Sequence, residues 1–497
     1  MSWRIALLLF ALGILTRLPF QTENLWAHDS VLYERAIQRF DPLDQRPQAP
    51  GYLYYVLVIR ALDALAGDAN RAMTLVSLVA AAAAVALLYL LAASLYDERT
   101  ARISALLLLS AVTFWAYGGI AYPYTLLAAL SIGCALVFWR AATSRRARDL
   151  LAASALWGVA IGFRSDLAVF VAPLWLVAAW GMPLVVAGAA AVVVAALIGA
   201  WYVASAAADG GVARFAEALR VQGQFVDERY SVFGTNGLAA LYANVHELAR
   251  FLGRGLYFLA PLLAVVPLSP SARRIELADR RRALFLGLWA LTPLAIYVPI
   301  HSGEYGYVFS MMPGLCVFAA RGAIGLARGL RVPRALPWLV GAVVLANAAV
   351  FLMSDTPLSA HDVIRRDRGV TEKVAYLARP DLKGSKLLAA YDFLVADRYA
   401  LLGDPPHHPA PGGPSSIRGY DPADPPFDFV FPEHPCDVPG LADCADAPVL
   451  VVWDDLIRVH GAGWQTVAMP HGTTLRIARD MAGVRVHVDG LDVTLAR

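Results

Sequence analysis

Residues 25–35 read LWAHDSVLYER and follow directly on the first apolar run of the chain, residues 4–20. Asp29 therefore sits where the polypeptide leaves a hydrophobic layer. Ionisable groups near membrane depth cost roughly 2.5 to 3.5 kcal/mol at a helix centre on insertion scales, and they persist where they pair, line a wet cavity or take part in chemistry. Two readings of Asp29 follow: a carboxylate with a function, or a solvated loop acid.

Working outward, the composition is that of a polytopic membrane protein. Of 497 residues 58% are hydrophobic and 16% charged, with a mean hydropathy of +0.54, outside the range of ordinary soluble domains. A net charge of +3 is too small to point to a nucleic-acid partner. Apolar runs at 4–20, 72–96, 103–117, 121–139, 150–163, 167–180, 182–203, 248–268, 283–300, 305–320 and 335–353 predict about eleven transmembrane helices. A twelfth run, 51–66, carries Arg60 and Asp63. Its fate sets the orientation of everything after it.

Short loops rich in arginine stay in the cytoplasm. If 51–66 does not span, the gaps 97–102, 140–149, 269–282 and 321–334 fall inside, and together they hold fifteen arginines; if it spans, all fifteen fall outside. The segment thus reads as an interfacial helix with Tyr52, Tyr55, Ile59 and Leu62 on its apolar face. The expected topology has a cytoplasmic amino terminus and an extracytoplasmic carboxyl-terminal domain. Residues 4–20 read as the first span rather than a cleaved signal, because Arg17 interrupts their end and no small-residue cleavage pattern follows.

In this topology residues 21–71, 118–120, 164–166, 204–247 and 301–304 are external, 204–247 being a long loop. Unusual polar residues sit there: Asp29, Arg46 and Gln48; Arg164 and Asp166 in FRSD; Gln222, Gln224 and Asn244; His301 and Glu304 in HSGEYGY. Polar turns gathered at one membrane face predict a single external cavity. A wet loop is the alternative reading of His301 and Glu304, and an ion pair with Asp166 that only caps span ends is the alternative for Arg164.

The chain divides into a transmembrane domain, 1–353, and a soluble domain, 354–497, which holds all three lysines. KLLAAY, FDFVF, PVLVVW and TLRIA read as strands, and TEKVAYLAR and FLVADRYALL as amphipathic helices, so a small mixed α/β unit is expected. Ten prolines between 404 and 435 predict an irregular loop. Cys436 and Cys444 are candidates for an external disulfide or for two free thiols, and His407 and His408 read as solvated. P-loop, zinc-ligand, GxSxG and strand-borne GxGxxG patterns are absent from the sequence, and no inverted repeat is apparent.

At the level of motifs, LWAHDSVLYERA resembles the first external loop of GT-C fold glycosyltransferases, in the branch with the protein O-mannosyltransferases and the bacterial aminoarabinose transferase of lipid A. RPQAPGYLYYVL is similar to the proline-aromatic segment that follows in that family, and HSGEYGYVFSMMPGL resembles its late entry into a span. The resemblance implies a GT-C-like fold and an enzyme that takes a hexosyl or pentosyl group from a polyprenyl-phosphate carrier to a glycan, lipid or protein acceptor, at the external face of a bacterial inner membrane. Asp29 matches the family's catalytic acid residue, which would act as general base on the acceptor; direct attack implies inversion. Where many relatives open the second external loop with an acid, GGIAYPYTL offers Tyr122, and the basic residue some relatives place before the prolines is here Gln48 or Ala49. Divalent-metal dependence and the means of holding the phosphate stay open. Arg164 and Arg46 are candidate phosphate ligands, because a guanidinium can grip phosphate oxygens bidentately. His28, Tyr33 and Tyr307 complete the candidate substrate contacts. A flippase for the same lipid-linked sugars, or a polymerase with a long acceptor groove in 204–247, are the rival readings.

Overall fold

The computed structural model describes residues 2–268, 273, 277, 279–382, 385–388, 427–430, 449–453, 458–460, 463–479, 485–488 and 491–494. The expected disulfide cysteines, His407 and His408, the proline-rich stretch up to 426 and the helix expected at FLVADRYALL lie outside them.

The described chain forms two compact units, one of residues 1–21 and 32–361, the other of residues 22–31 and 362–497. The first is helical: α1 (Trp3–Arg17), α2 (His28–Gln38, begun in the second unit), α3 (Leu53–Ala66), α4 (Ala69–Leu95), α5 (Glu98–Ser110), α6 (Val112–Tyr117), α7 (Tyr124–Ser144), α8 (Ala147–Phe163), α9 (Leu167–Phe170), α10 (Ala172–Ala179), α11 (Leu184–Ala208), α12 (Val212–Tyr230), α13 (Gly237–Leu256), α14 (Ala260–Leu268), α15 (Arg280–Tyr297), α16 (Met312–Gly329) and α17 (Leu336–Met353). Among the described residues six helical stretches are long and apolar enough to cross a membrane: 3–20, 69–95, 124–144, 184–208, 237–268 and 333–353. This is a polytopic helical membrane protein. Its shorter helices are cut by identifiable residues. Pro173 opens α10, and Pro313 opens α16 after a 3-10 turn at Tyr305–Ser310, since proline has no N–H to give and suits a first helical turn.

Small residues let the helices approach closely. A Cβ on Gly13 of α1 would lie 2.7 Å from the Cα of Ala82 in α4. Asp68 and Asp97 cap α4 and α5 by accepting from the N–H groups of Arg71 and Thr100, each at 2.7 Å. Arginines of two of the arginine-rich gaps are anchored. The guanidinium groups of Arg282 and Arg321 lie 4.2 and 4.5 Å from the Tyr96 ring centre, Arg282 donates to the Leu95 carbonyl at 3.2 Å, and Arg281 donates to that of Val177 at 2.9 Å. These contacts tie the start of α15 to the ends of α4 and α10, and Arg321 of α16 to the end of α4.

The long loop expected at 204–247 is instead mostly helical. Gly210 and Gly211, with φ of +94° and +137°, reverse the chain after α11 in a backbone region that side chains rarely tolerate, and α12 and α13 follow. Both are amphipathic, with Phe215 and Ala218 of α12 and Ala240, Leu248 and Phe251 of α13 buried while Arg220, Glu228 and Arg250 are exposed, so the segment reads in the sequence as a polar gap between apolar runs.

The second unit is mixed α/β. Helix α18 (Ala360–Leu377) precedes β1 (Ser385–Leu388), β2 (Phe427–Val430), β3 (Leu450–Val452), β4 (Arg458–His460), β5 (Trp464–Ala468), β6 (Thr474–Ala478), β7 (Arg485–Val488) and β8 (Leu491–Thr494). One sheet runs β2-β1-β3-β6-β5, parallel across its first three strands and antiparallel after; the other runs β4-β7-β8. Leu377, Val451, Trp453, Leu475 and Ile477 form its core. Lys373 donates to the Trp453 carbonyl at 2.8 Å, which satisfies a buried ammonium. The strands expected at KLLAAY, FDFVF, PVLVVW and TLRIA are all present, and TEKVAYLAR lies largely in α18. Residues 22–31 join this unit through Asp367, whose carboxylate accepts from the N–H groups of Glu23 and Asn24 at 3.0 and 2.8 Å.

Candidate functional site

Arg164 follows the last residue of α8, in the turn that the sequence reads as FRSD. It is 4% exposed and donates to Asp166 at 2.7 Å. Its guanidinium carbon lies 4.8 Å from the ring centre of Tyr52 and 4.9 Å from that of Tyr124, so two aromatic faces hold the cation. Burial works against its charge, but Asp166 and the neighbouring tyrosines more than offset it and raise its pKa. Arg164 Nε and Asp166 Oδ1 are buried and make no hydrogen bond among the described residues. A buried polar atom without a partner is costly. The ion pair expected as one reading of Arg164 is present, and it leaves one donor and one acceptor without a hydrogen bond among the described residues.

The tyrosines continue outward as a connected set of rings. Tyr52 meets Tyr33, which meets Tyr55 at 4.9 Å; Tyr124 meets Tyr122 at 4.9 Å and Tyr307 at 5.6 Å; Tyr307 meets Tyr297 at 4.8 Å and His301 at 5.6 Å. Tyr117 touches both Tyr122 and Tyr124 and donates its hydroxyl to Glu304 at 3.2 Å. Two backbone features fix these rings. Tyr52, at the start of α3, has φ of +45°, a left-handed conformation that a non-glycine residue adopts at a cost on the order of 1 to 3 kcal/mol and that concentrates at functional sites. Gly306 has no side chain because a Cβ there would lie 2.0 Å from the Tyr124 ring. His301 lies 4.3 Å from Tyr230, ring centre to ring centre, and burial pulls its pKa down to about 4, so it is neutral at pH 7.

The turn at 164–166 lies beside Tyr52, and the ring contacts through Tyr124, Tyr307 and Tyr117 link it to His301 and Glu304 of the turn at 301–304. Of the residues singled out in the sequence, Tyr33, Tyr122, Arg164, Asp166, His301, Glu304 and Tyr307 come together here. Gln48, four residues before Tyr52, is half-buried with its Oε1 making no hydrogen bond among the described residues. Arg46 lies elsewhere in its local loop, bonded to Asp44 at 2.9 Å. Gln222 is half-buried on α12 and takes no part in the ring contacts. Asn244 acts as a brace, donating to the carbonyls of Tyr230 and Val298 at 2.9 and 3.2 Å. In the second unit, Asp29 is half-buried in the first turn of α2, and His28 opens that helix. Sequence reasoning missed Tyr117, Tyr124, Tyr230 and Tyr297 as site residues, although the two tyrosines of AYPYTL were a usable signal.

A second charged group stands apart from the rings. Asp41 is 2% exposed and accepts from Arg214 at 2.5 Å and from the Asp44 N–H at 3.2 Å, and it also pairs with Arg39. Asp209 is 5% exposed and lies 3.5 Å from the Nε of the same Arg214, with neither carboxylate oxygen hydrogen-bonded among the described residues. Burial raises the pKa of both acids; at Asp41 the hydrogen bond from Arg214 and the other cations reverse the sign, at Asp209 they do not. Among the described residues no three His, Cys, Asp or Glu side chains stand together as metal ligands would.

Comparison with known proteins gives three findings. Residues 48–206 match the family model described as dolichyl-phosphate-mannose-protein mannosyltransferase, a segment that contains Tyr52, Tyr122, Tyr124, Arg164 and Asp166. ArnT from Cupriavidus metallidurans is similar in structure at 14% identity and a TM-score of 0.53, in the apo state over 95% of this chain and 97% of that one, and bound to undecaprenyl phosphate over 96% and 98%. The oligosaccharyltransferase of Archaeoglobus fulgidus is similar at 14% identity and a TM-score of 0.46 over 78% of this chain, which spans 62% of the length of that one. A sequence comparison with curated proteins gives no match. Residues 48–206 fit the mannosyltransferase model and the fold is shared with ArnT, so this multi-pass membrane protein has a GT-C fold.

Proposed function

We propose that the protein is an integral-membrane glycosyltransferase that takes a sugar from a polyprenyl-phosphate-linked donor and passes it to a hydroxyl or amine acceptor at the extracytoplasmic face. Arg164 carries the reading. It is a buried guanidinium held between two tyrosine faces with Nε left without a partner among the described residues, which suits a phosphate oxygen, a strong acceptor for charge-assisted bonds. Stabilising the negative charge on the departing phosphate lowers the barrier to breaking the glycosidic bond. The half-buried rings of Tyr52 and Tyr307 offer apolar faces to a sugar. Asp29 is the general base: it removes the acceptor's proton as the oxygen or nitrogen attacks the anomeric carbon from the side opposite the phosphate. The configuration inverts, and the polyprenyl phosphate leaves. The family match over 48–206 and the fold shared with ArnT, one of whose structures holds undecaprenyl phosphate, support the donor class.

The test is transfer in membranes from a polyprenyl-phosphate sugar, with donor binding measured alongside. Asp29→Asn keeps the shape and removes the base, so transfer should fall by about 10² to 10⁴ while donor binding persists. Wild-type turnover by this variant would reject Asp29 as base. Movement of the lipid-linked sugar across the bilayer by wild-type protein, without transfer, would replace the transferase with a flippase.

A further inference from the structure

At the other end of α5 from Tyr117, a groove of about 600 Å³ runs between the start of α5 and the start of α17. Its mouth is charged, with Glu98, Arg99 and Arg102 on the first turns of α5, and its walls are apolar, with Ile103 and Leu106 facing Val340 and Val344. Glu98 pairs with Arg102 at 2.5 Å. Arg99 is exposed and makes no ion pair among the described residues, so the mouth carries a net positive charge. Trp338, 82% exposed in the first turn of α17, is placed as an interfacial anchor would be. Gly341 lines the groove, and a Cβ there would meet nothing within 4 Å.

We propose that this groove is a binding site for an anionic phospholipid, with its phosphate on Arg99 and Arg102 and one acyl chain laid between α5 and α17. Basic pockets between membrane helices on the cytoplasmic side hold acidic headgroups in this way, and the mouth lies in one of the four arginine-rich gaps that the charge rule puts inside. Length selects the occupant. The lining runs from residue 98 to 106 and from 336 to 344, eight helical steps or roughly 12 Å on each helix. That is close to one leaflet, about half of a hydrocarbon core of roughly 30 Å, and too short for a polyprenyl chain. The site is separate from the ring cluster and does not depend on what is transferred there.

Purified protein in nanodiscs or by native mass spectrometry should retain phosphatidylglycerol over phosphatidylcholine of the same acyl chains. At roughly 1 kcal/mol per basic residue near the surface, each unopposed arginine gives about a five-fold preference. Arg99→Glu should abolish the preference while Arg99→Lys keeps most of it. Gly341→Leu should fill the open space and lower retention of both lipids. Melting midpoints unchanged from wild type show that these variants are folded. Equal retention of both phospholipids by wild-type protein would overturn the proposal. Loss of undecaprenyl phosphate binding in Gly341→Leu, with normal melting, would also overturn it by giving the groove to the polyprenyl lipid.

Discussion

Tyr117 donates its hydroxyl to Glu304 at 3.2 Å across 187 positions of sequence. The bond ties the end of α6 to the turn before α16, so Glu304 is anchored to the rings and is not the acid of a wet loop. A double-mutant cycle with Tyr117→Phe and Glu304→Gln, read by thermal melting in detergent, should give a coupling of about 1.5 kcal/mol, the lower end of the range for a hydrogen bond to a charged group because Glu304 is only half-buried. Strictly additive effects would mean that the bond contributes nothing.

Arg164 separates charge from shape. Arg164→Lys keeps a cation but loses the fork and the planar stacking between Tyr52 and Tyr124, so donor affinity should drop by about ten-fold in Lys and by considerably more in Ala. Equal donor affinity in wild type and both variants would leave the ion pair with Asp166 as the only role of this arginine.

His301 links acidity to stability. Its folded pKa, about 4, lies below the ordinary 6.5, so the neutral form is the one the fold favours. Its contribution is complete above pH 6.5 and is lost as pH falls from 6.5 toward 4, because the unfolded chain takes up the proton first. Thermal midpoints measured from pH 7.5 to 4.5 should show an acid decline that His301→Gln reduces. An unchanged decline in that variant would place the cause elsewhere.

Asp41 and Asp209 flank Arg214 but are not equivalent. Asp41 takes hydrogen bonds from Arg214 and from the Asp44 N–H, whereas Asp209 is buried with both oxygens lacking a hydrogen bond among the described residues. Asp41→Asn should destabilise by about 1 to 3 kcal/mol, the range for lost bonds to a charged group. Asp209→Asn should cost much less, since it relieves the burial of a charge. Reversed or equal losses in melting would contradict this assignment.

The helical membrane architecture was legible because membrane burial writes itself into long apolar runs, and the strands of the second unit were legible from short ones. FRSD and HSGEYGY stood out for a related reason, being polar residues between such runs. The tyrosine set was harder to see. Tyr52, Tyr117, Tyr124 and Tyr297 belong to different helices or turns, and a tyrosine at a helix end reads equally as packing or as ligand until its neighbours are known. The interfacial reading of 51–66 placed Tyr55 and Ile59 on one face, and both are fully buried, but the left-handed backbone of Tyr52 has no signature in the residues RPQAPGY. The helices α12 and α13 were missed because charged residues such as Arg220, Glu228 and Arg250 made them read as a gap between apolar runs, although their apolar positions recur at helical spacing.

The aromatic clamp around Arg164 also bears on the medium in which the protein could work. A guanidinium does not give up its proton in any ordinary medium, and a phosphodiester keeps a single charge over the same span. On the proposed roles, neither partner of the donor grip titrates. A compartment open to the surroundings takes on their acidity, and a lysine or histidine clamp would be exposed to drift or to acylation there. This one is indifferent to both, so donor occupancy should stay level while the fold itself, through His301, gives way first.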